Sequence, residues 1–296
     1  MDESSRISNA RGREVGAELR RIREASGLTG QQLAEALGWS PSMVSRAEHG
    51  KRPLSEVDAL LYLACCRTSR RQVERVREIA RPAKGYWLRP YGLQPAEELR
   101  SLLVQEAAAS AITCYEPTVL PDLLQTGDYT RALLVSAGQA DDVVESRVLA
   151  RAERQRQARG RRDRRLEFFV HEHAVRSVVG GHLVMHEQLM HLAAAGTTRP
   201  RYLIRLVRTS AGPFGALGSG FSVLDFPDDP PVAYTPLPTA GLFAENPADL
   251  LVYRRLLTRL DRAALSDEES RRWLAQLAVR YRHIEPVDAE SEAKSA

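Results

Sequence analysis

Apolar residues recur every three or four positions through most of the first 80 residues, which is the spacing of amphipathic helices. The pattern predicts five helices between residues 13 and 80. The second helix follows Thr29 and stops at Gly38, and the third follows Ser40 and Pro41. A hydroxyl side chain caps the first amides of a helix, proline fits its first turn, and glycine adopts the left-handed conformation that ends it. The sequence therefore predicts two short helices joined by a tight turn inside a helical bundle.

After residue 95 the pattern alternates between helical and strand-like segments. Helices are predicted at about 96–113, 141–159, 183–195, 247–260 and 267–283, and strands at 166–170, 202–207, 221–226 and 232–235. The strand–helix–strand succession from 166 to 207 is typical of parallel neighbours in a sheet. The predicted fold class is mostly α, with an N-terminal five-helix helix-turn-helix bundle and a C-terminal α+β domain that contains a small mixed sheet.

Shifts in composition divide the chain into five parts. The segment 81–95, RPAKGYWLRPYGLQP, is rich in proline, glycine and aromatic residues, so we interpret it as a linker that packs against another part of the protein. The predicted parts are a disordered arm at 1–12, a helix-turn-helix domain at 13–80, the linker at 81–95, a partner or effector domain at 96–285, and a disordered tail at 286–296.

The polar side of the third helix fits the requirements for reading DNA. A helix fits the major groove, and small polar residues in its first turn allow close approach to base edges. Arg46 has the fork that matches the two acceptors of guanine. We predict contacts to double-stranded DNA from Gln31, Gln32, Ser40, Pro41, Ser42, Ser45, Arg46, His49, Lys51 and Arg52. The alternative is an ordinary helical hairpin with a polar outer face.

The segment LTGQQLAEALGWSPSMVSRAEHGKRP resembles the phage-repressor-like, or Xre-type, helix-turn-helix family over about residues 15–64. The resemblance implies that the third helix is the recognition helix. It also implies an ion pair between Arg23 and Glu48 that ties the first helix to the third. Pro41 stands where the best-known repressors often have glutamine, so their base preference does not carry over.

A second resemblance covers about residues 95–285, through YEPTVLPDLLQTGDYTRALL, RVLARAERQ and VVGGHLVMHEQLMHLA. These segments resemble the C-terminal domain of actinobacterial Xre-type regulators. The resemblance implies a transcriptional regulator that is often encoded beside a small partner protein, either in an antitoxin-like pairing or in the control of development or secondary metabolism. Arg151, Arg154 and Gln155 belong to the family's pattern, which implies a structural role for them. Asp122 replaces a usual glycine. Because helix-turn-helix proteins commonly read two half-sites, we expect a homodimer.

The net charge of +4 is unevenly distributed. The first 90 residues and the segment 147–165 are both basic, as a polyanionic partner requires, and the remainder is acidic. No apolar run has the length of a membrane span, and the N-terminus lacks the apolar block of a signal peptide. We therefore expect a cytoplasmic protein without a membrane partner. Cys65, Cys66 and Cys114 are expected to be reduced thiols.

Candidate chemistry outside the DNA-binding motif is sparse. Five histidines, at 171, 173, 182, 186 and 191, suggest a metal-responsive regulator as an alternative, but their spacing does not match a metalloprotease motif. The glycine-rich segment 212–220 lacks the lysine of a phosphate-binding loop. We therefore predict a non-enzyme without a cofactor and without a bound metal. The arginine run at 147–165 either extends the DNA contact, binds an acidic partner, or forms a solvated helix face.

Overall fold

The structure is a computed structural model that describes residues 10–80, 85–91, 99–160, 163–198, 201–213 and 219–283. Twelve α-helices and seven β-strands lie within these ranges. This arrangement confirms the predicted fold class, a helical N-terminal bundle joined to a C-terminal α+β domain, although the sheet is larger than the sequence suggested.

The N-terminal bundle contains the five predicted helices: α1 (Ala10–Ala25), α2 (Gly30–Leu37), α3 (Pro41–Glu48), α4 (Glu56–Cys65) and α5 (Arg70–Ala80). Their apolar faces form one core around Leu19, Leu33, Val44 and Tyr62. Cys65 and Cys66 belong to this core as free thiols. The first helix begins at Ala10, within the segment predicted to be an arm, because Ala10 is buried against the C-terminal domain. The rest of that arm, residues 1–9, lies outside the described residues.

The C-terminal domain is built on one mixed sheet of seven strands. The strands are β1 (Tyr86–Pro90), β2 (Ala111–Glu116), β3 (Arg165–His171), β4 (Tyr202–Val207), β5 (Phe221–Asp225), β6 (Val232–Pro236) and β7 (Ala240–Ala244). Their order across the sheet is β1-β7-β6-β5-β2-β3-β4. Strands β2, β3 and β4 are parallel to one another, which confirms the prediction for the two strands in 166–207, and the remaining pairs are antiparallel.

Helices cover both faces of the sheet. They are α6 (Arg100–Ala108), α7 (Gly127–Ser136), α8 (Asp141–Gly160), α9 (Glu172–Arg176), α10 (His182–Thr198), α11 (Pro247–Ala263) and α12 (Asp267–Arg282). Alternate residues of a strand point to opposite faces, so Phe168 packs into the core with α10 and α12, and Phe169 packs into the core with α11. Both faces of the central strands are therefore buried.

Two stretches differ from the sequence prediction. The predicted linker 81–95 contains strand β1, which pairs with β7 at the edge of the sheet. The predicted helix 96–113 ends at Ala108, and β2 follows as a central strand, since Ile112, Cys114 and Tyr115 are buried on both faces. The predicted tail 286–296 lies outside the described residues.

Candidate functional site

The helix-turn-helix is capped as the sequence predicts. The Thr29 hydroxyl accepts a hydrogen bond from the Gln32 amide at 3.2 Å, and the Gln32 side-chain oxygen accepts one from the Thr29 amide at 2.9 Å. Gly38 ends α2 in the left-handed conformation with φ of 66°. The Ser40 hydroxyl caps α3 by accepting from the Met43 amide. These caps fix where α3 begins and therefore which of its residues lie in the first turn.

An ion pair holds α3 against α1, as the first resemblance implied. The guanidinium of Arg23 donates to both carboxylate oxygens of Glu48, at 2.6 and 2.9 Å. The Tyr62 hydroxyl donates to Glu48 at 2.6 Å, a contact that the sequence reading missed. Burial alone would raise the pKa of Glu48, but the hydrogen bonds from Arg23 and Tyr62 hold it below its usual value. The charged pair therefore fixes the orientation of α3 from its buried side.

The predicted DNA contacts lie on the outer side of this motif. Those that are exposed are Gln31, Gln32, Ser40, Pro41, Ser42, Ser45, Arg46, His49 and Lys51, and Arg52 is half-buried. Two of them also serve the fold, since Gln32 and Ser40 cap their helices. Arg46 donates from Nε to the carbonyl oxygen of Ser42 at 3.3 Å, which aligns its side chain along the exposed side of α3.

The histidines have separate structural partners. His171 caps α9 by accepting from the His173 amide, His186 contacts the Ala278 carbonyl oxygen at 2.8 Å, and His182 stacks on Tyr281. Among the residues that the structure describes, no three His, Cys, Asp or Glu side chains are grouped so that they could hold a metal ion. His171, His182 and His186 therefore contribute to the packing of the domain.

Of the described arginines in the run at 147–165, Arg156 and Arg165 are exposed and the others are buried or half-buried. Arg154 donates to both oxygens of Glu106, at 2.9 and 2.7 Å, and also pairs with Asp122. Arg151 pairs with Asp122 at 3.2 Å, and Gln155 donates to the backbone of the same turn. The structural role that the resemblance implied for Arg151, Arg154 and Gln155 is thus confirmed. The acid at position 122, where the family usually has glycine, is the partner of both arginines.

A cavity of about 610 Å³ lies in the C-terminal domain beside these ion pairs. Its wall is formed by residues of helices α6, α7 and α8, of strands β2, β3, β5 and β6, and of the segments beside them. Leu102, Ile112, Leu123, Leu134 and Phe168 provide apolar surface. Cavities of this size and polarity are typical of sites for small molecules.

Glu116 is the polar group of the cavity that the sequence reading missed. It is the last residue of β2 and lines the cavity. Burial, followed by repulsion from Asp122, raises its pKa to about 8. Within the described part of the chain its carboxyl group has no hydrogen-bond or ion-pair partner. A carboxylate at the end of a buried apolar run, ITCYE, is the signal that would have pointed to it.

The first helix is bound to the C-terminal domain by buried polar contacts. Arg13 pairs with Asp229 at 2.5 Å and donates to the side-chain oxygen of Gln105 at 2.9 Å, and its guanidinium covers the Phe226 ring. Glu14 accepts from the Trp87 indole and from Arg89, both in β1. Burial raises the pKa of Glu14. The predicted linker is therefore a structural joint between the DNA-binding motif and the sheet.

Within the described ranges, no helix combines the length and the hydropathy that a bilayer crossing needs.

The capped motif and its exposed recognition helix define a helix-turn-helix protein of the DNA-binding class. Residues 14–76 match a family described as a helix-turn-helix domain, which supports a DNA-binding regulator. Residues 99–276, more than half of the chain, match the family described as a domain of unknown function (DUF5753). The chain therefore belongs to the DUF5753 family. The comparison with curated proteins gave no match to this chain.

Proposed function

We propose that the protein is a sequence-specific transcriptional regulator of the Xre type that binds double-stranded DNA as a homodimer and responds to an effector bound by its C-terminal domain. It acts by binding rather than by catalysis. The observation that carries the proposal is the recognition helix itself. Its two ends are fixed by caps, its buried side is held by Glu48, and its outer side presents Ser42, Ser45 and Arg46.

A continuous set of contacts supports the response to an effector. Helix α6 contributes Leu102, Leu103 and Glu106 to the cavity wall. The same helix carries Gln105, whose side-chain nitrogen donates to the Ala10 carbonyl oxygen at 2.7 Å and whose oxygen accepts from Arg13. One helix thus contacts the cavity and the start of α1.

The backbone of α1 in turn lies directly against the end of α3 and the residue Gly50 that follows it, with no side chain between the backbones at Gly12 and Gly16. A Cβ atom at Gly16 would lie 2.4 Å from the carbonyl oxygen of Glu48, and one at Gly50 would lie 2.4 Å from the Gly12 backbone. Backbones this close transmit a displacement directly, because close-packed contacts do not absorb it. A ligand that moves α6 is therefore expected to change the setting of the recognition helix.

The test is to recover genomic fragments that the purified protein binds and to measure its affinity for the best fragment and for random DNA. Arg46→Ala should weaken binding to the best fragment by about 1–3 kcal/mol and relax the sequence preference at one base position. The matched control is Arg272→Ala, which removes the same charge from an exposed site on α12. Equal losses on both DNAs, or an equal effect of the control, would contradict base reading by Arg46.

The small partner protein that the second resemblance implies is tested in an additional experiment. The same binding measurement is repeated with the product of the neighbouring gene. An antitoxin-like pairing predicts that the two proteins co-purify and that the partner shifts the DNA affinity, whereas an unchanged affinity without co-purification would remove the partner from the proposal.

A further inference from the structure

Most charges around the cavity neutralise one another. Arg154 is paired with Glu106 and Asp122, and Arg151 is paired with Asp122. Glu153 pairs with Arg156, and Arg147 is engaged by other contacts of the chain. The hydroxyl groups of Tyr91 and Tyr234 lie 3.1 Å apart and hydrogen-bond each other. Among the described charged side chains of the wall, Glu116 is the one whose carboxyl group has no ion-pair or hydrogen-bond partner.

The backbone leaves room for that carboxyl group. A Cβ atom at position 220 would lie 2.3 Å from Oε2 of Glu116, so the acid rests against Gly220, where any larger residue would displace it. Apolar side chains, among them Leu102, Ile112 and Phe168, form much of the rest of the wall. A bound molecule therefore meets one acidic group on an otherwise apolar or internally neutralised surface.

We propose that this cavity binds a small molecule that has an apolar body and a single protonated amine, with the ammonium group paired to Glu116. An ammonium group supplies both the positive charge and the donors that a buried carboxylate lacks. A ligand carboxylate would instead be repelled by the ionised form of Glu116, and it would reach Arg151 or Arg154 only by breaking their existing ion pairs. The inference rests on the proposed function only where it calls the ligand an effector.

Three probes with the same body and different head groups test the charge preference: 4-phenylbutylamine, 4-phenylbutanol and 4-phenylbutanoate. Their affinities for the full-length protein without DNA are measured by titration calorimetry at pH 9, where Glu116 is ionised and a primary amine is still protonated. We expect the amine to bind at least tenfold more tightly than the alcohol, and the carboxylate to bind most weakly. Equal affinities, a preference for the carboxylate, or binding of none of the probes would overturn the proposal.

Two variants assign the preference to Glu116. Glu116→Gln should remove the advantage of the amine over the alcohol while the alcohol still binds. Gly220→Ala should lower the affinity for the amine, because the added methyl group displaces the Glu116 carboxyl group. It provides an independent measurement if Glu116→Gln folds poorly. The control Glu187→Gln removes an exposed carboxylate from α10 and should leave all three affinities unchanged. Undiminished amine binding by both cavity variants would overturn the assignment.

The result is independent of DNA recognition. Amine binding is measured without DNA, and the genomic fragments are recovered without a probe. Selective amine binding by a protein that shows no DNA preference would leave the cavity assignment intact and refute the proposed regulator. Sequence-specific DNA binding without amine selectivity would do the reverse.

Discussion

At the residue scale, Glu116 shows how one half-buried acid acquires unusual properties from its surroundings. It ends a central strand, rests on Gly220 and lines a largely apolar cavity, so its charged form is less well solvated than in water and has no positive partner in return. Its neighbour Asp122 experiences a similar environment but stays ionised, because Arg151 and Arg154 lower its pKa against the effect of burial. The difference between the two acids is their arginine partners.

The raised pKa of Glu116 predicts a pH-dependent cost to folding. The carboxyl group titrates near 4.5 in the unfolded chain and near pH 8 in the folded protein, so folding takes up a proton between these values. The free energy of unfolding therefore decreases as the pH rises through that window, by up to about 1.4 kcal/mol per pH unit. Glu116→Gln mimics the protonated acid and should be more stable than the parent protein at pH 9 but not at pH 4.5. Urea unfolding at both values measures this, and parallel pH profiles would contradict it.

At the scale of single elements, the recognition helix depends on a buried ion pair more than on its own eight residues. An isolated helix of this length is unstable in water, so tertiary contacts must hold it. Glu48 provides these contacts through Arg23 and Tyr62, and the side chains of the ion pair are almost fully buried. Because the pKa of Glu48 is lowered in the folded protein, the stability it contributes is present at neutral pH and is lost as the pH falls through that lowered value.

Glu48→Ala is expected to destabilise the protein by about 3–5 kcal/mol, since it leaves the Arg23 charge buried without its partner. The control is Glu74→Ala, which breaks an exposed pair with Arg70 in α5 of the same bundle and should cost about 0–1 kcal/mol. Thermal unfolding of the two variants side by side is the measurement. If they melt alike, Glu48 is not the anchor of α3.

The elements also show which patterns a sequence displays and which it conceals. The caps of α2 and α3 were readable because Thr29, Gly38 and Ser40 act on their immediate neighbours. Strand β2 could not be predicted in this way. A strand buried on both faces lacks the alternation of apolar and polar residues, and the alanine-rich stretch at 107–111 that leads into it is typical of a helix. Strand β1 was hidden by Pro90, which is tolerated since β1 lies at the edge of the sheet.

The cavity was beyond the reach of a local reading for a different reason. Its wall combines Leu102, Glu116, Arg154 and Tyr234, which come from two helices and two strands. These four elements are far apart in the chain, and only the folded domain brings them together. Only the family pattern pointed toward Arg154, and it did so as a structural residue. The local sequence marks Glu116 only as an acid at the end of an apolar run, and it does not show that Glu116 lacks a partner whereas Glu106 has one.

At the scale of the whole molecule, the helix-turn-helix bundle and the C-terminal domain share a buried polar interface. Arg13 and Glu14 lie on α1, yet both are more than 90% buried and their partners belong to the C-terminal domain. Arg100 extends the interface by pairing with Glu18 at 3.3 Å. Ion pairs of this kind require defined geometry, since the loss of one partner leaves an uncompensated charge in a buried position. The two halves should therefore unfold and move as one unit.

Removing Arg13 should separate the two halves. Arg13→Ala leaves Asp229 and Gln105 without their partner, which is expected to cost about 3–5 kcal/mol and to split a single calorimetric unfolding transition into two. Arg20→Ala is the control, because it lies on the same helix but forms an exposed pair, and its single transition should persist. In the Arg13 variant the recognition helix keeps its own anchor, Glu48, so DNA should still be bound while any effect of a cavity ligand on DNA affinity disappears. One transition in both variants, with ligand response retained, would show that the signal from the cavity reaches α3 by another route.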